Sequence, residues 1–144
     1  MGYTPKLKTF NPAKVIVTYG GVILSGFSDQ IVVVQRQTPT WESDPGVDGE
    51  VVRWNQNDRR GKIVMRMQPT STDNAILAGF QIADENGIGE PLPFKMKDEL
   101  IGDVCNAPFA WIVAPPVMTK RKGIEAYEWI LDSNNVIMVP TGVA

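Results

Sequence analysis

The clearest pattern in the chain is a strict alternation of apolar and polar residues near its middle. Over residues 62–68, Ile63, Met65 and Met67 share one face of an extended strand, and the other face is mostly polar. A second strand is predicted over residues 50–55, and the charged, glycine-containing segment between the two has the composition of a hairpin turn. The pattern therefore predicts a β-hairpin with one buried face.

Similar patterns predict further strands on both sides of this hairpin. These strands cover residues 14–19, 22–24, 31–38, 92–98, 104–114, 125–131 and 136–139. Residues 72–83 instead have apolar side chains at helical spacing, after serine and threonine residues that can cap a helix. The predicted fold is mainly β, with two packed antiparallel sheets as a β-sandwich or partial barrel and one flanking α-helix.

Three segments lack a regular pattern. Residues 1–12 are polar, contain two prolines, and are predicted to form an extended N-terminal arm. Residues 39–49 contain two prolines, two glycines and three acids, and are predicted to form a long interaction loop. Within it, Trp41 either folds back over the core or anchors a contact with another protein. Residues 25–30 contain a glycine and an aspartate and should break the sheet.

Length and charge narrow the class of protein. The chain has 144 residues, 43% of them hydrophobic, so we expect one domain with its own core over residues 1–144. Its 14 basic and 16 acidic side chains give a net charge of −2, which disfavours tight binding to nucleic acid. No segment has the pattern of a membrane helix or a signal peptide, so we expect a domain that folds in the cytosol and does not bind membranes.

The absence of histidine restricts the possible chemistry. It excludes histidine-dependent triads, acid–base catalysis and metal sites, and the single cysteine, Cys105, excludes an internal disulfide. Asp44, Asp48 and Glu50 could contact a calcium ion, but their spacing is not that of a calcium-binding loop. A carboxylate-based hydrolase would need two acids converging in a pocket, whereas the acids here lie in turn-like sequence. We expect no enzyme activity, metal or cofactor.

Three stretches of the chain carry a family resemblance. The first comprises Gly49 to Arg53, Asn57 to Ile63, Gln68 to Ser71, and Asn74; the second comprises Trp111-Ile112 and Pro115-Pro116; the third is Glu128-Trp129-Ile130. In order and spacing they resemble the tail tube proteins of contractile-tailed bacteriophages and related prophages. Together with the strand–glycine–strand segment of residues 14–26, the resemblance covers most of the chain.

The resemblance implies the fold shared by phage tail tubes and the type VI secretion tube protein. It also implies a structural virion protein whose hexameric rings close a β-barrel around a lumen and stack into the inner tail tube, through which phage DNA passes without being gripped. Implied partners are further copies of the chain and the sheath, baseplate, tail-terminator and tape-measure proteins, with assembly in the host bacterial cytoplasm. A non-stacking baseplate or terminator ring protein and a type VI-like secretion tube subunit are the alternatives.

Two groups of residues are candidates for contacts in such an assembly. The inter-subunit candidates are Trp41, Asp44, Asp48, Glu50, Arg53, Asp58, Arg59 and Arg60, and the lumen or neighbour-facing candidates are Gln35, Gln37, Lys62, Arg66 and Gln68. Because Arg59 and Arg60 would retain DNA if they lined the lumen, we expect them to pair with Asp44, Asp48 or Glu50 of a neighbouring subunit. Charge reversal at both arginines should then block assembly and leave the monomer folded.

Overall fold

The computed structural model describes residues 11–123 and 125–141, so the predicted arm, residues 1–12, lies almost entirely outside the described residues. A short 3-10 helix at Pro12–Lys14 precedes the first strand. The described ranges form one α-helix, α1 (Asp73–Glu85), and ten strands. The strands are β1 (Val15–Tyr19), β2 (Val22–Leu24), β3 (Phe27–Arg36), β4 (Trp41–Pro45), β5 (Val51–Asn55), β6 (Gly61–Met67), β7 (Leu92–Asp98), β8 (Val104–Ile112), β9 (Tyr127–Ser133) and β10 (Ile137–Val139).

Eight strands form one antiparallel sheet with the order β2-β1-β7-β8-β9-β6-β3, and β10 pairs with β8 beside this path. One edge of β8 pairs with β7, and its other edge pairs with β10 at one end and β9 at the other. Side chains from both halves of this sheet meet in one core. The terminal strands β2 and β3 do not pair with each other, so the curled sheet is not a closed barrel.

The inward-facing side chains of the large sheet make the core. Ile63, Met65 and Met67 are completely buried, as the alternation along β6 predicts. They pack with inward-facing residues of the other strands, among them Phe94 of β7 and Leu131 of β9. Burying a side chain of this size stabilises the fold by about 1.5–3 kcal/mol. The mainly-β class with a single flanking helix is thereby confirmed.

The helix α1 covers one end of this core. Leu77 is fully buried, and the ring of Phe80 packs edge-to-face on Tyr19 with 5.5 Å between the ring centroids. At the start of the helix, the indole N–H of Trp129 donates a hydrogen bond to the side-chain oxygen of Asn74 at 3.0 Å. The helix is therefore fixed to the sheet by both apolar packing and a specific polar contact.

The predicted hairpin between residues 50–55 and 62–68 is wrong. β5 pairs with β4, whereas β6 lies inside the large sheet between β3 and β9. Burial explains the difference, because alternate residues of β6 are fully buried and all of β5 is exposed. The charged segment 56–60 therefore connects two different sheets.

The prediction of a loop over residues 39–49 is also wrong, because Trp41–Pro45 is strand β4. β4 and β5 form a separate two-stranded antiparallel sheet, called the ribbon below, in which Trp41 lies opposite Asn55. None of its residues belongs to the buried core cluster of the described chain. Acidic residues fit this strand because both faces of the ribbon meet solvent.

The predicted break at residues 25–30 is replaced by a bulge. β3 already begins at Phe27, which lies opposite Met67, and regular pairing resumes at Val32 opposite Met65. The intervening polar residues are accommodated by the register shift between these pairs. Composition indicated the irregularity correctly but not that the strand continues through it.

Candidate assembly surface

Apolar side chains stand exposed on both strands of the ribbon. Trp41 and Trp54 are 47% and 45% exposed, and Val51 and Val52 are 65% and 63% exposed. A two-stranded hairpin alone is at best marginally stable in water, and exposed apolar strands tend to associate. The ribbon therefore has the properties of a surface that another protein element covers.

The two faces of the ribbon differ in character. On one face the guanidinium of Arg53 lies over the ring of Trp41, 4.1 Å from its centroid, in a cation–π contact. On the other face each cross-strand pair combines an acid with an apolar residue, namely Glu42 with Trp54 and Asp44 with Val52. A complementary surface for this second face needs both apolar contacts and basic groups.

The tip of the ribbon is a tight turn that uses one of the predicted contact acids. The carboxylate of Asp48 accepts a hydrogen bond from the backbone N–H of Glu50 at 3.1 Å. Gly49 has a φ of +88°, which a residue without a Cβ adopts easily. Val47 and the Glu50 side chain are exposed at this tip. Asp48 thus shapes the turn, while Glu50 remains open to a partner.

Residues 36–40 and 56–61, called the neck below, join the ribbon to the large sheet. Asp58 holds the neck together, because it accepts two hydrogen bonds from the Arg60 guanidinium, both at 3.0 Å, and one from the Thr38 hydroxyl at 2.8 Å. The side chain and the backbone N–H of Arg60, followed by the Thr38 hydroxyl, hold the pKa of the Asp58 carboxyl well below its usual range. The Asp58 carboxylate is therefore ionised at neutral pH and connects the two sides of the neck.

A second set of contacts anchors the neck to the core. The guanidinium of Arg36 donates two hydrogen bonds to the carbonyl of Val136, at 3.1 and 2.9 Å, and the N–H of Val136 donates to the carbonyl of Arg59 at 3.1 Å. Gly61 lies directly against Val136, since a Cβ at this position would be 2.0 Å from its Cγ2 atom. This close approach requires glycine and fixes where the ribbon leaves the sheet.

Basic and acidic residues lie opposite each other on the outer face of the large sheet. Lys62 lies opposite Asp132 and Arg66 opposite Glu128, with Val64 between the two pairs on β6. Neither pair makes an ion pair among the described residues, and the buried Nε of Arg66 has no hydrogen-bond partner there. The two strands therefore bring these opposite charges near each other without direct contact between them.

The five predicted lumen or neighbour-facing residues fall in three places. Gln35 lies opposite Lys62, and these two share the outer face with Arg66. Gln37 lies in the neck, where its N–H donates to the carbonyl of Arg60, and Gln68 is exposed just beyond the end of β6. Three of these residues thus share one face of the sheet.

The predicted inter-subunit residues are brought into one protrusion. Trp41, Asp44, Asp48, Glu50 and Arg53 lie on the ribbon, and Asp58, Arg59 and Arg60 lie in the neck. Arg60 has a partner within its own chain, whereas Arg59 is exposed. Pairing of either arginine with a neighbouring subunit stays a prediction.

Sequence reasoning missed the apolar side of the ribbon, Val52 and Trp54. The sequence pattern places both on a strand that forms a hairpin with residues 62–68, and so does not mark them as part of a separate surface. The available signal was the acid-rich segment beside them, because a strand whose partner carries Glu42 and Asp44 has solvent on that face.

Among residues 11–123 and 125–141, no group of three or more aspartates, glutamates or cysteines is placed to hold a metal ion. No helix in the same ranges is both long and apolar enough to cross a membrane.

Similar folds occur among solved structures, although no family model matches the chain and no curated protein matches its sequence. The cap that terminates the tube of the anti-feeding prophage superposes with a TM-score of 0.62 at 12% identity, covering 96% of both chains. The sheath/tube terminator of the extracellular contractile injection system PVC, in its extended state, gives 0.62 at 16% identity, with 92% of this chain and 98% of that chain covered. A chain of the PVC sheath-tube complex gives 0.60 at 17% identity over 92% of both chains.

These similarities establish a contractile-tail-related fold, which confirms the broader part of the resemblance seen in the sequence. They include a tube-terminating cap and a sheath/tube terminator as well as a chain of a sheath-tube complex, and so do not single out tube proteins.

Proposed function

We propose that this chain is a structural, non-enzymatic subunit of a contractile tail or contractile injection particle, and that it assembles with itself into rings. The observation that carries the proposal is the ribbon, which exposes Trp54, Val52 and their neighbours outside the core. The fold similarity to a tube-terminating cap and a sheath/tube terminator supports the class of particle.

The charges suggest how copies meet. The ribbon carries four acids, Glu42, Asp44, Asp48 and Glu50, against the single cation Arg53, and it stands clear of the core of its own chain. Arg59 is exposed at the base of the same protrusion. A ribbon that contacts the neck region of the next copy makes a head-to-tail interface, which closes into a ring when repeated with a fixed rotation.

Within this class the first candidate role is the tube subunit implied by the sequence resemblance. Six copies would form each ring, rings would stack, and DNA would pass through a lumen that the net charge of −2 keeps from retaining phosphate. The partners would be the sheath, baseplate, terminator and tape-measure proteins, with assembly in the host cytoplasm and a final place in the virion tail.

A tail terminator or tube cap is the second candidate role. The supporting observation is that the similarity extends over 96% of the anti-feeding prophage cap and 98% of the PVC terminator. A protein with this role forms one ring at the end of a tube and does not stack on further copies of itself.

Negative-stain electron microscopy of the purified chain over a concentration series separates these roles. Long hollow tubes or stacked rings would support the tube subunit, and single rings at every concentration would support the terminator or cap. A chain that stays monomeric at all concentrations, even with preformed tail tubes added as a template, would contradict the proposal of ring assembly.

A further inference from the structure

Residues 113–123, called the basic loop below, follow β8 and carry exposed apolar side chains beside a cluster of positive charge. Val117 and Met118 are 85% and 68% exposed. Lys120, Arg121 and Lys122 come shortly after them, are all exposed, and form the only run of three consecutive basic residues in the sequence. The loop contains no acidic residue. It therefore combines the two properties that the second face of the ribbon requires of a partner, apolar contacts and basic groups.

One basic group of the loop has no partner among the residues that the structure describes. Lys120 donates a hydrogen bond to the hydroxyl of Tyr127 and lies 5.0 Å from the centroid of that ring. Arg121 forms an ion pair with Glu125, the one acid between β8 and β9. Lys122 makes neither a hydrogen bond nor an ion pair within the described ranges. The connection therefore keeps a net positive charge and an unpaired ammonium group.

An open hollow of about 480 Å³ lies between the loop and the outer face of β9. Pro115 and Pro116 line it from the loop, and Ile130 lines it from the strand. Glu128 also lines it, and Arg66 lies opposite Glu128 on β6. A mainly apolar hollow of this kind, bordered by polar groups, receives an aromatic anchor of a partner protein.

We propose that the basic loop of one copy receives the second face of the ribbon of another copy, with Trp54 in the hollow. This inference rests on the proposed function, because it names the surface that the ribbon contacts in the assembly. Trp54 lies opposite Glu42 and Val52 lies opposite Asp44, so acids and exposed apolar side chains alternate on this face. The apolar side chains of the ribbon match the hollow, and its carboxylates match the positive charge of the loop.

The contact of the ribbon with the basic loop is compatible with its contact with the neck. The neck adjoins Gly61 at one end of β6, and Met67 at the other end lies opposite Tyr127, which contacts the loop. These two ends are six residue steps apart, or roughly 20 Å. From Trp41 to Asp48 at its tip, the ribbon spans at most roughly 23 Å. One ribbon is therefore long enough to meet both regions of the next copy, in a single head-to-tail interface.

Two variants of the full-length chain, each defective in one half of this interface, test the inference. The ribbon variant is Val52→Ser with Trp54→Ser, and the loop variant is Val117→Ser with Lys122→Glu. In sedimentation equilibrium, each variant alone should self-associate at least about tenfold more weakly than the wild type, because each lacks one half of every contact. In an equal mixture, the intact loop of the ribbon variant should bind the intact ribbon of the loop variant. The mixture should form a complex of two copies that grows no further, because both unused halves are defective.

Ile88→Ser with Lys95→Glu is the matched control for the loop variant. Ile88 is 81% exposed, and Lys95 is exposed on β7, where the residues opposite it, Thr18 and Asn106, are uncharged. This control makes the same two changes outside both surfaces and should assemble like the wild type. Urea unfolding should give the loop variant the same midpoint as the wild type, because both of its altered side chains are exposed.

The possible results separate this inference from the proposed function. If the wild type assembles, a loop variant that assembles equally well would overturn the inference alone. A mixture that associates no more strongly than each variant by itself would also overturn it. So would a mixture that builds assemblies as large as those of the wild type, because ribbon and loop would then belong to separate contacts. A wild type that never assembles would contradict the proposed function, and this inference with it.

Discussion

Gly61 lies where β6 leaves the neck, and we expect Gly61→Ala to destabilise the fold by steric conflict alone. A Cβ at this position would be 2.0 Å from Cγ2 and 2.7 Å from Cβ of Val136, and 3.4 Å from the carbonyl oxygen of Gln35. The φ angle of Gly61 is not in the left-handed region, so backbone strain adds nothing. Val136 is fully buried, and its backbone is hydrogen-bonded to Arg36 and Arg59. These contacts prevent Val136 from moving away freely.

The expected loss of stability follows from the size of this steric conflict. Ordinary contacts of a Cβ lie at 3.4–4 Å, so the neighbouring atoms must separate by more than an ångström. Overpacking of this kind costs about 1–3 kcal/mol, and the loss of glycine's freedom in the unfolded chain offsets about 0.4–1 kcal/mol of it. Val136→Ala removes the nearest clashing atom, Cγ2, and leaves the approach to Cβ of residue 136 at 2.7 Å, so it relieves the larger part of the conflict. Alone it costs roughly 1.6 kcal/mol or more. The double variant should therefore be at least about 1 kcal/mol more stable than the sum of the single effects.

Urea unfolding, followed by tryptophan fluorescence, gives the free energy of unfolding of the wild type, the two single variants and the double variant. Gly79→Ala is the matched control, because no atom lies within 4 Å of its Cβ position on the exposed side of α1, and it should stabilise the protein by about 0.8–1 kcal/mol. The reasoning fails if Gly61→Ala stabilises the protein or if the changes at Gly61 and Val136 are additive.

Three further predictions concern pH and the neck. Burial raises the pKa of Tyr19 from 10.0 to about 12, so the neutral side chain's contribution to stability is complete below pH 10 and is lost between pH 10 and 12, by up to roughly 3 kcal/mol. Tyr19→Phe should flatten this alkaline loss in thermal unfolding, and an unchanged pH profile would contradict the assignment. The lowered pKa of Asp58 makes stability depend on pH in the acidic range. The ionised carboxylate contributes its full stabilisation above the ordinary pKa of 3.8, and this stabilisation is lost as the pH falls below that value. The melting temperatures of wild type and Asp58→Asn should therefore converge below about pH 4, and a constant difference would argue against the neck contact. Arg59→Glu should weaken assembly, measured by sedimentation, without changing the urea unfolding of the monomer. Arg60→Glu should also destabilise the neck, because it breaks the ion pair with Asp58. If Arg59→Glu assembles at the same protein concentration as the wild type, Arg59 does not lie in the interface.

The sequence predicted the elements whose signal is local. The alternation of Ile63, Met65 and Met67 identified the buried face of β6, and the helical spacing after residue 72 identified α1. Strand partners were harder, because the charged segment 56–60 has hairpin composition although it joins two sheets. Which strand lies beside β6 depends on contacts far apart in the chain, and these contacts leave no local pattern.

The residues of the candidate surface also differ in whether the local sequence identifies them. Trp41 and the acids near it could be selected from a stretch rich in turn-forming residues, and the structure places them on one protrusion. Val52 and Trp54 could not be assigned to this surface, because an apolar strand has the same sequence pattern whether its own core or another copy of the chain covers its apolar face. Only the pairing of β5 with β4, outside the large sheet, reveals that they are exposed.

Sedimentation velocity of the wild type beside a ribbon variant tests the central claim, that the ribbon joins copies of this chain. Val52→Ser with Trp54→Ser removes the apolar side of the ribbon, and Ile88→Ser, which is 81% exposed on the loop after α1, is the matched control. The account predicts that wild type and control sediment as closed assemblies and that the ribbon variant remains a folded monomer at the same concentration. A ribbon variant that assembles like the wild type would contradict it.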